Sequence, residues 1–123
     1  MKVSIQGVKG SFHSIACNHL FKEAAQLERG SFAEVFLDVS EGKAIYGISA
    51  IENSSVGSIN AVYDLLQKND LKIIGELYMR ISQNLMSVKS SKLSDIKSIF
   101  SHPMAILQSE EFIEKELPNA DVH

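Results

Sequence analysis

An α/β domain with a mainly parallel sheet is predicted by three observations. Strand-like and helix-like stretches alternate three times between Lys2 and Leu66. The run Ala44–Ile51 is mostly apolar, as a strand covered on both faces requires. Small polar residues follow the strand-like stretches, where turns and helix caps belong.

Taken in order, Lys2–Gly7 reads as a short strand and Gly7-Val8-Lys9-Gly10 as the turn after it. Ser11 caps a helix in which Phe12, Ile15, Ala16, Leu20, Ala24 and Leu27 recur at helical spacing. Phe32, Val35, Phe36 and Val39 form a second apolar stripe, terminated by Gly42. After the Ala44–Ile51 strand, Glu52–Gly57 is a polar loop, and Ser58 caps a third helix carrying Ile59, Val62 and Leu66. The rhythm then changes. Lys72–Lys89 is a long extended stretch, with Leu77, Met79 and Ile81 alternating with Tyr78, Arg80 and Ser82, suited to carrying the chain from one lobe to another. Ser90–Ser94 is a loop, Ile96–Phe100 a brief strand, and Pro103 opens a helix that runs to about Leu117. Ala120–His123 reads as the approach to another strand, which makes the fold look unfinished at its C-terminal end.

With 123 residues there is room for one domain with a real core. Hydrophobic residues make up 45% and charged residues 22%, as in soluble globular proteins. A net charge of −3 lacks the basic excess that phosphate-backbone binding needs, so nucleic acid is not the expected partner. No apolar run reaches membrane-spanning length, and no signal peptide is expected. The single cysteine, Cys17, allows no internal disulfide and reads as a small core residue in a reducing compartment, the cytoplasm. Tyr46, Tyr63 and Tyr78 are expected on packing surfaces. His13, His19, His102 and His123 show no metal-ligand spacing, so no metal is expected.

Three segments repeat a strand, a small polar loop and a helix: Gly7–Phe12, Glu52–Ser58 and Ser101–Gln108. Ligands of open α/β sheets settle outside the carboxyl ends of strands, near unpaired helix amides. Three such loops around one cleft suit an anion, a carboxylate above all; each alone reads sooner as a well-capped turn. Asn53 is a candidate ligand contact or a turn former, and Ser101 a contact, a helix cap, or both. Gln108 follows Ser101 by seven residues, nearly two helical turns, which places both on one side of a continuous helix. Glu52 reads as ordering its loop, and His102 as positional rather than catalytic.

In order and spacing, Gly7-Val8-Lys9-Gly10-Ser11-Phe12, Ile51-Glu52-Asn53-Ser54-Ser55-Val56-Gly57 and Ser101-His102-Pro103-Met104-Ala105-Ile106-Leu107-Gln108 resemble the prephenate dehydratases. Asp64-Leu65-Leu66 and Gly75-Glu76 are similar to that family too, and the resemblance covers essentially the whole chain. It implies a two-lobed fold like that of type II periplasmic solute-binding proteins, with about residues 1–75 as the first lobe and about 76–123 as part of the second. The implied reaction converts prephenate into phenylpyruvate, water and carbon dioxide in phenylalanine biosynthesis, without a cofactor. By motif, Asn53, Ser101 and Gln108 match polar active-site residues, and Gly10 and Ser11 match the first substrate-facing loop. Glu52, Ser54, Ser55 and His102 flank them as substrate-binding candidates.

Departures from the family are Val8 and Ser11, where proline and threonine are usual, and Met104, where glutamine is. No Thr-Arg-Phe motif, which carries the threonine central to the family's reaction, occurs. The chain is therefore expected to be a C-terminally incomplete and inactive portion of such a domain. Its unpaired sheet edge predicts self-association as a homo-oligomer. The alternative reading is a non-catalytic carboxylate-binding module that keeps the cleft.

Overall fold

The computed structural model describes residues 1–54 and 57–123. These divide into two compact units, Met1–Arg80 and Ile81–His123.

In the first unit, β1 (Lys2–Gln6), α1 (Phe12–Leu20), β2 (Ala25–Arg29), α2 (Phe32–Ser40) and β3 (Tyr46–Ile48) follow one another. The three strands form one sheet in the order β2-β1-β3, and both pairings are parallel. β1 is therefore central, and alternation of its side chains divides the core between two faces. Val3 and Ile5 are fully buried with Cys17 of α1, and Phe21, Ala24, Tyr46 and Ile48 pack against them. Phe21 stacks on Tyr46, with ring centroids 4.9 Å apart. On the opposite face lies α2, whose Val35 and Phe36 are buried. Its close approach depends on Gly47, where a Cβ would stand 2.9 Å from Val35 Cγ1 and 3.1 Å from Val39 Cγ2.

Ser4 also points to that second face and is fully buried. Its Oγ donates to Asp38 Oδ2 at 2.7 Å, and Arg29 donates from Nε to Oδ2 at 2.8 Å and from Nη2 to Oδ1 at 3.3 Å. Burial alone pushes the Asp38 pKa up. Hydrogen bonds from Ser4 and Arg29, with the charges of Arg29 and Lys43, outweigh it and hold the carboxyl below its ordinary range.

Beyond β3, β4 (Glu52–Asn53) and β5 (Gly57–Ser58) pair antiparallel, with Glu52 opposite Ser58 and Asn53 opposite Gly57. α3 (Asn60–Lys68) follows and buries Val62. No helix or strand occurs over residues 71–87, most of which are exposed. The second unit holds the 3-10 turn Leu93–Asp95, β6 (Ser98–Ile99), α4 (Pro103–Gln108), α5 (Glu110–Glu116) and β7 (Asp121–Val122). β6 and β7 pair in parallel, and Ile99 and Leu117 are its deeply buried apolar residues.

Several expectations are corrected. The helix expected to reach Leu27 ends at Leu20, and Leu27 lies in β2. Glu23, at φ 61°, takes the left-handed conformation that turns the chain back, and edge pairing with β1 then competes better than another helical turn. β3 is shorter than Ala44–Ile51, since its ladder with β1 holds only three residues. Ser58 is a strand residue rather than a cap; Ile59 precedes α3 and makes no side-chain capping bond. The last helix is broken at Ser109 into α4 and α5. Tyr63 and Tyr78, expected on packing surfaces, are exposed, Tyr78 to 94%.

Replacing Asp38 by Asn keeps the shape and removes the charge that Arg29 and Ser4 serve. The expected loss of stability is about 1.5–3 kcal/mol, the scale of hydrogen bonds to a charged group. Because the folded pKa of Asp38 is depressed, its stabilisation is complete above about pH 4 and is lost as pH falls through the folded value. Denaturant midpoints measured against pH should show a shallower acid-side decline in Asp38→Asn than in the parent chain.

Candidate active site

The first motif loop leaves the carboxyl end of β1. Gly7, at φ 92°, directs the chain across the end of β2, where its N–H donates to the Arg29 carbonyl at 2.8 Å. Two residues on, the Lys9 N–H donates to Glu28 Oε1 at 2.8 Å. The end of β2 thus holds the turn at two points. A surface cavity of about 380 Å³ lies here, lined by Gln6, Gly7, Val8, Glu28, Arg29 and Gly30. Gly10 also has positive φ, and the turn closes as the Ser11 N–H donates to the Val8 carbonyl at 3.0 Å. Ser11 is the N-cap of α1, its Oγ accepting from Ser14 N at 3.2 Å. Capping uses one lone pair and leaves the hydroxyl proton for a ligand.

The second motif loop leaves the carboxyl end of β3, the strand beside β1. Glu52 and Ser54 are exposed, and Asn53 is half-buried. The segment is fastened at both ends. The Ile59 N–H donates to the Ile51 carbonyl at 2.9 Å, and the Ala50 N–H donates to His13 Nε2 at 3.2 Å. His13 is on α1, so the structure brings these two loops together as neighbours on one sheet edge. Ser55 lies outside the described residues.

The third motif lies in the second unit. His102 is the N-cap of α4, with Nδ1 accepting from Met104 N at 3.2 Å, and Pro103 occupies the first helical turn. The positional role expected of His102 is thereby given a geometry. Capping by Ser101 is corrected: Ser101 precedes the helix, its side chain is exposed, and its N–H donates to the His123 carbonyl at 3.2 Å. Nor does the two-turn spacing to Gln108 act within one helix. Gln108 ends α4, half-buried, with Oε1 accepting from Gln83 Nε2 at 2.8 Å.

His13 is read from the sequence only as lacking metal-ligand spacing, and Glu28, Arg29 and Asp38 are not singled out there. One legible signal was available in Ser31-Phe32-Ala33-Glu34, the pattern of a capping box. Both of its bonds form: Glu34 N donates to Ser31 Oγ at 3.3 Å, and Ser31 N donates to Glu34 Oε2 at 3.0 Å. A helix starting there sets Ala25–Arg29 free to be a strand.

Parallel strands whose polar turns gather at their carboxyl ends define an α/β domain of the class that takes small ligands at that edge. A family model described as prephenate dehydratase matches residues 3–123, and the chain belongs to that family. It is 40% identical over 116 residues to a bifunctional chorismate mutase/prephenate dehydratase of Buchnera aphidicola subsp. Acyrthosiphon pisum, covering 91% of this chain and 30% of the relative. Among solved structures it is similar to the prephenate dehydratase of Staphylococcus aureus, with TM-score 0.83 and 31% identity over all of this chain and 47% of that one. It is also similar to a quorum-quenching acylase, with TM-score 0.79 and 28% identity over all of this chain and 44% of that one. The chain therefore spans less than half the length of these relatives. Its mixed α/β fold is that of the prephenate dehydratase structures, consistent with the type II periplasmic-binding-like class. No group of metal-ligating side chains occurs among the described residues, and no described helix is long and apolar enough to cross a membrane.

Gly7 and Gly10 separate two costs. Both have φ near +90°, but a Cβ at Gly7 would lie 3.2 Å from Ser11 Cβ and Oγ, whereas one at Gly10 meets nothing within 4 Å. Gly10→Ala should cost about 1–2 kcal/mol of backbone strain. Gly7→Ala should cost more and should weaken the Ser11 cap. Denaturant midpoints for the two variants check the order, and amide exchange at Ser14 checks the cap.

Proposed function

We propose that this chain carries part of a prephenate dehydratase site that converts prephenate into phenylpyruvate, water and carbon dioxide. The observation that carries this reading is the linkage of two family motifs, Gly7–Ser11 and Ile51–Ser54, at the carboxyl ends of adjacent parallel strands through the His13–Ala50 bond. The substrate is a dianion, and aromatisation of its ring supplies most of the driving force. A site for it must hold the side-chain carboxylate and polarise the departing ring hydroxyl while the ring carboxylate leaves as carbon dioxide. Neutral hydroxyl and amide donors suit both tasks.

In this reading Asn53, Ser101 and Gln108 act on the reacting groups, and Gly10, Ser11, Glu52, Ser54, Ser55 and His102 shape the substrate pocket. Residues of about 1–75 and about 76–123 belong to two lobes of a solute-binding-type architecture, and the working protein is a cytoplasmic homo-oligomer. A buried, unpaired Cys17, whose thiol pKa is raised by burial, fits that reducing compartment. Neither the metal nor the cofactor that the sequence reading left out is needed for these steps.

The test is prephenate turnover to phenylpyruvate in a protein containing this chain, with Asn53→Ala beside it. Loss of a hydrogen bond to a charged substrate is expected to lower the rate by about one to two decades. Turnover within about twofold of the parent would remove Asn53 from the site. Binding of prephenate without turnover would instead favour a ligand-binding module.

A further inference from the structure

His13 joins three elements that are distant in sequence. Its Nε2 accepts from the Ala50 N–H at 3.2 Å, across 37 residues of chain. The Gln6 backbone, at the end of β1, raises the pKa of the ring, and the edge of Phe32 at the start of α2 meets it, with centroids 5.6 Å apart and planes at 77°. The ring therefore fills the junction of β1, α1 and α2 and presents one lone pair to the segment leaving β3.

We infer that His13 is a positioning residue: by accepting from Ala50 N–H it fixes the backbone from which Asn53 is presented, and it releases that backbone on protonation. The inference rests on the reading of Asn53 as a substrate contact. Its chemistry is that of the imidazole ring. An imidazolium has N–H on both nitrogens and no lone pair, so a protonated His13 would set donor against donor at Ala50. Asn53 follows Ala50 by three residues and is itself paired with Gly57 in β4–β5, so movement of Ala50 moves the strand that carries it.

No neighbouring charge opposes this behaviour. Burial lowers the His13 pKa and the Gln6 backbone partly offsets it, with no carboxylate or cation among the causes. Of the charged groups on the elements around it, Glu34 is bound to Ser31, and Asp38 to Ser4 and Arg29. Lys9 and Glu52 are exposed, as is His19 near the far end of α1. With the folded pKa depressed, the stabilisation from neutral His13 is complete above its ordinary pKa of 6.5 and is lost as pH falls through the lower folded value.

The experiment follows amide exchange and chemical shifts in a protein containing this chain, from pH 8 downward, for the parent, His13→Gln and His13→Phe. In the parent, Ala50 protection, corrected for intrinsic exchange, should fall about fivefold to tenfold as the His13 ring titrates. His13→Gln retains an acceptor that does not titrate there, and should keep Ala50 protected across the range. His13→Phe has none, and should be unprotected even at pH 8. Prephenate titrated at pH 8 should shift the Asn53 amide in the parent and in His13→Gln with similar Kd, and should bind His13→Phe about fivefold to tenfold more weakly. Protection at Ile5 reports whether each variant is folded; if His13→Phe is not, the parent and His13→Gln decide the matter between them. Ala50 protection that ignores the titration of His13, or pH dependence retained in His13→Gln, would overturn the inference. If Ala50 follows His13 but prephenate shifts no amide in residues 49–54 at pH 8, the clamp stands alone, and the positioning role falls with the dehydratase reading.

Discussion

The Asp38 carboxylate sits against the centre of a three-stranded sheet, where an ion without partners would not be tolerated. Its partners are chosen from elements that must be held together. Ser4 belongs to the central strand, Arg29 to the end of the edge strand, and Asp38 itself to the helix that covers both. Fixing Arg29 in this way fixes the carbonyl that receives the Gly7 N–H, and the adjacent Glu28 receives that of Lys9. The first motif turn is thus set by a charge buried beneath the sheet. From that turn, Ser11 starts α1, and α1 carries His13 to Ala50. Hydrogen bonds at Arg29, Gly7 and His13, joined by the intervening backbone, thus link the buried carboxylate to Ala50, three residues before Asn53.

The second unit is organised differently. Ile99 and Leu117 are its deeply buried apolar residues, β6 and β7 pair over two residues each, and α4 and α5 are short. Few buried contacts and short ladders place such a segment at the low end of local stability. Its motif residues reflect this. Ser101 is exposed, and Gln108 is tied to another glutamine, whereas the loops of the first unit are held by backbone bonds to neighbouring strands.

Local signals were legible where one residue type does one job. Ser11 caps α1 as expected, Cys17 is core, Phe32 opens α2, and Pro103 stands in the first turn of α4. The three motif segments could be read from their residues, and the family with them. What escaped was set by pairing across the chain. Ala24 and Leu27 continue the helical spacing of α1, yet the turn at Glu23 and the ladder to Lys2–Gln6 make Ala25–Arg29 a strand. Ser58 looks like a cap, but it stands opposite Glu52 in a two-residue ladder, beside the bond from Ile59 N–H to the Ile51 carbonyl. His13 gave no sequence signal because its partner lies 37 residues away and is a backbone amide, which every residue but proline carries. Asp38 and Arg29 were equally silent, being ordinary charges until the fold opposes them.

The placement of charge at this edge also bears on the chemistry. Arg29 lies beside the first motif turn, and three of the donors of its guanidinium are engaged: Nε and Nη2 with Asp38, and Nη1 with the Glu28 carbonyl at 3.0 Å. In the proposed dehydratase reading the neutral groups of the two motif loops are Ser11, Asn53 and Ser54, with the exposed Lys9 and Glu52 beside them. For a reaction in which a carboxylate is consumed, neutral donors suit the departing group better than a cation does. A cation paired with the departing carboxylate would stabilise the ground state and would be left without its partner as carbon dioxide forms. Donors aimed at the leaving oxygen gain strength as charge develops there, so they act on the barrier rather than on binding alone. Burying Asp38 joins the central strand to its covering helix and holds Arg29 beside the first motif turn.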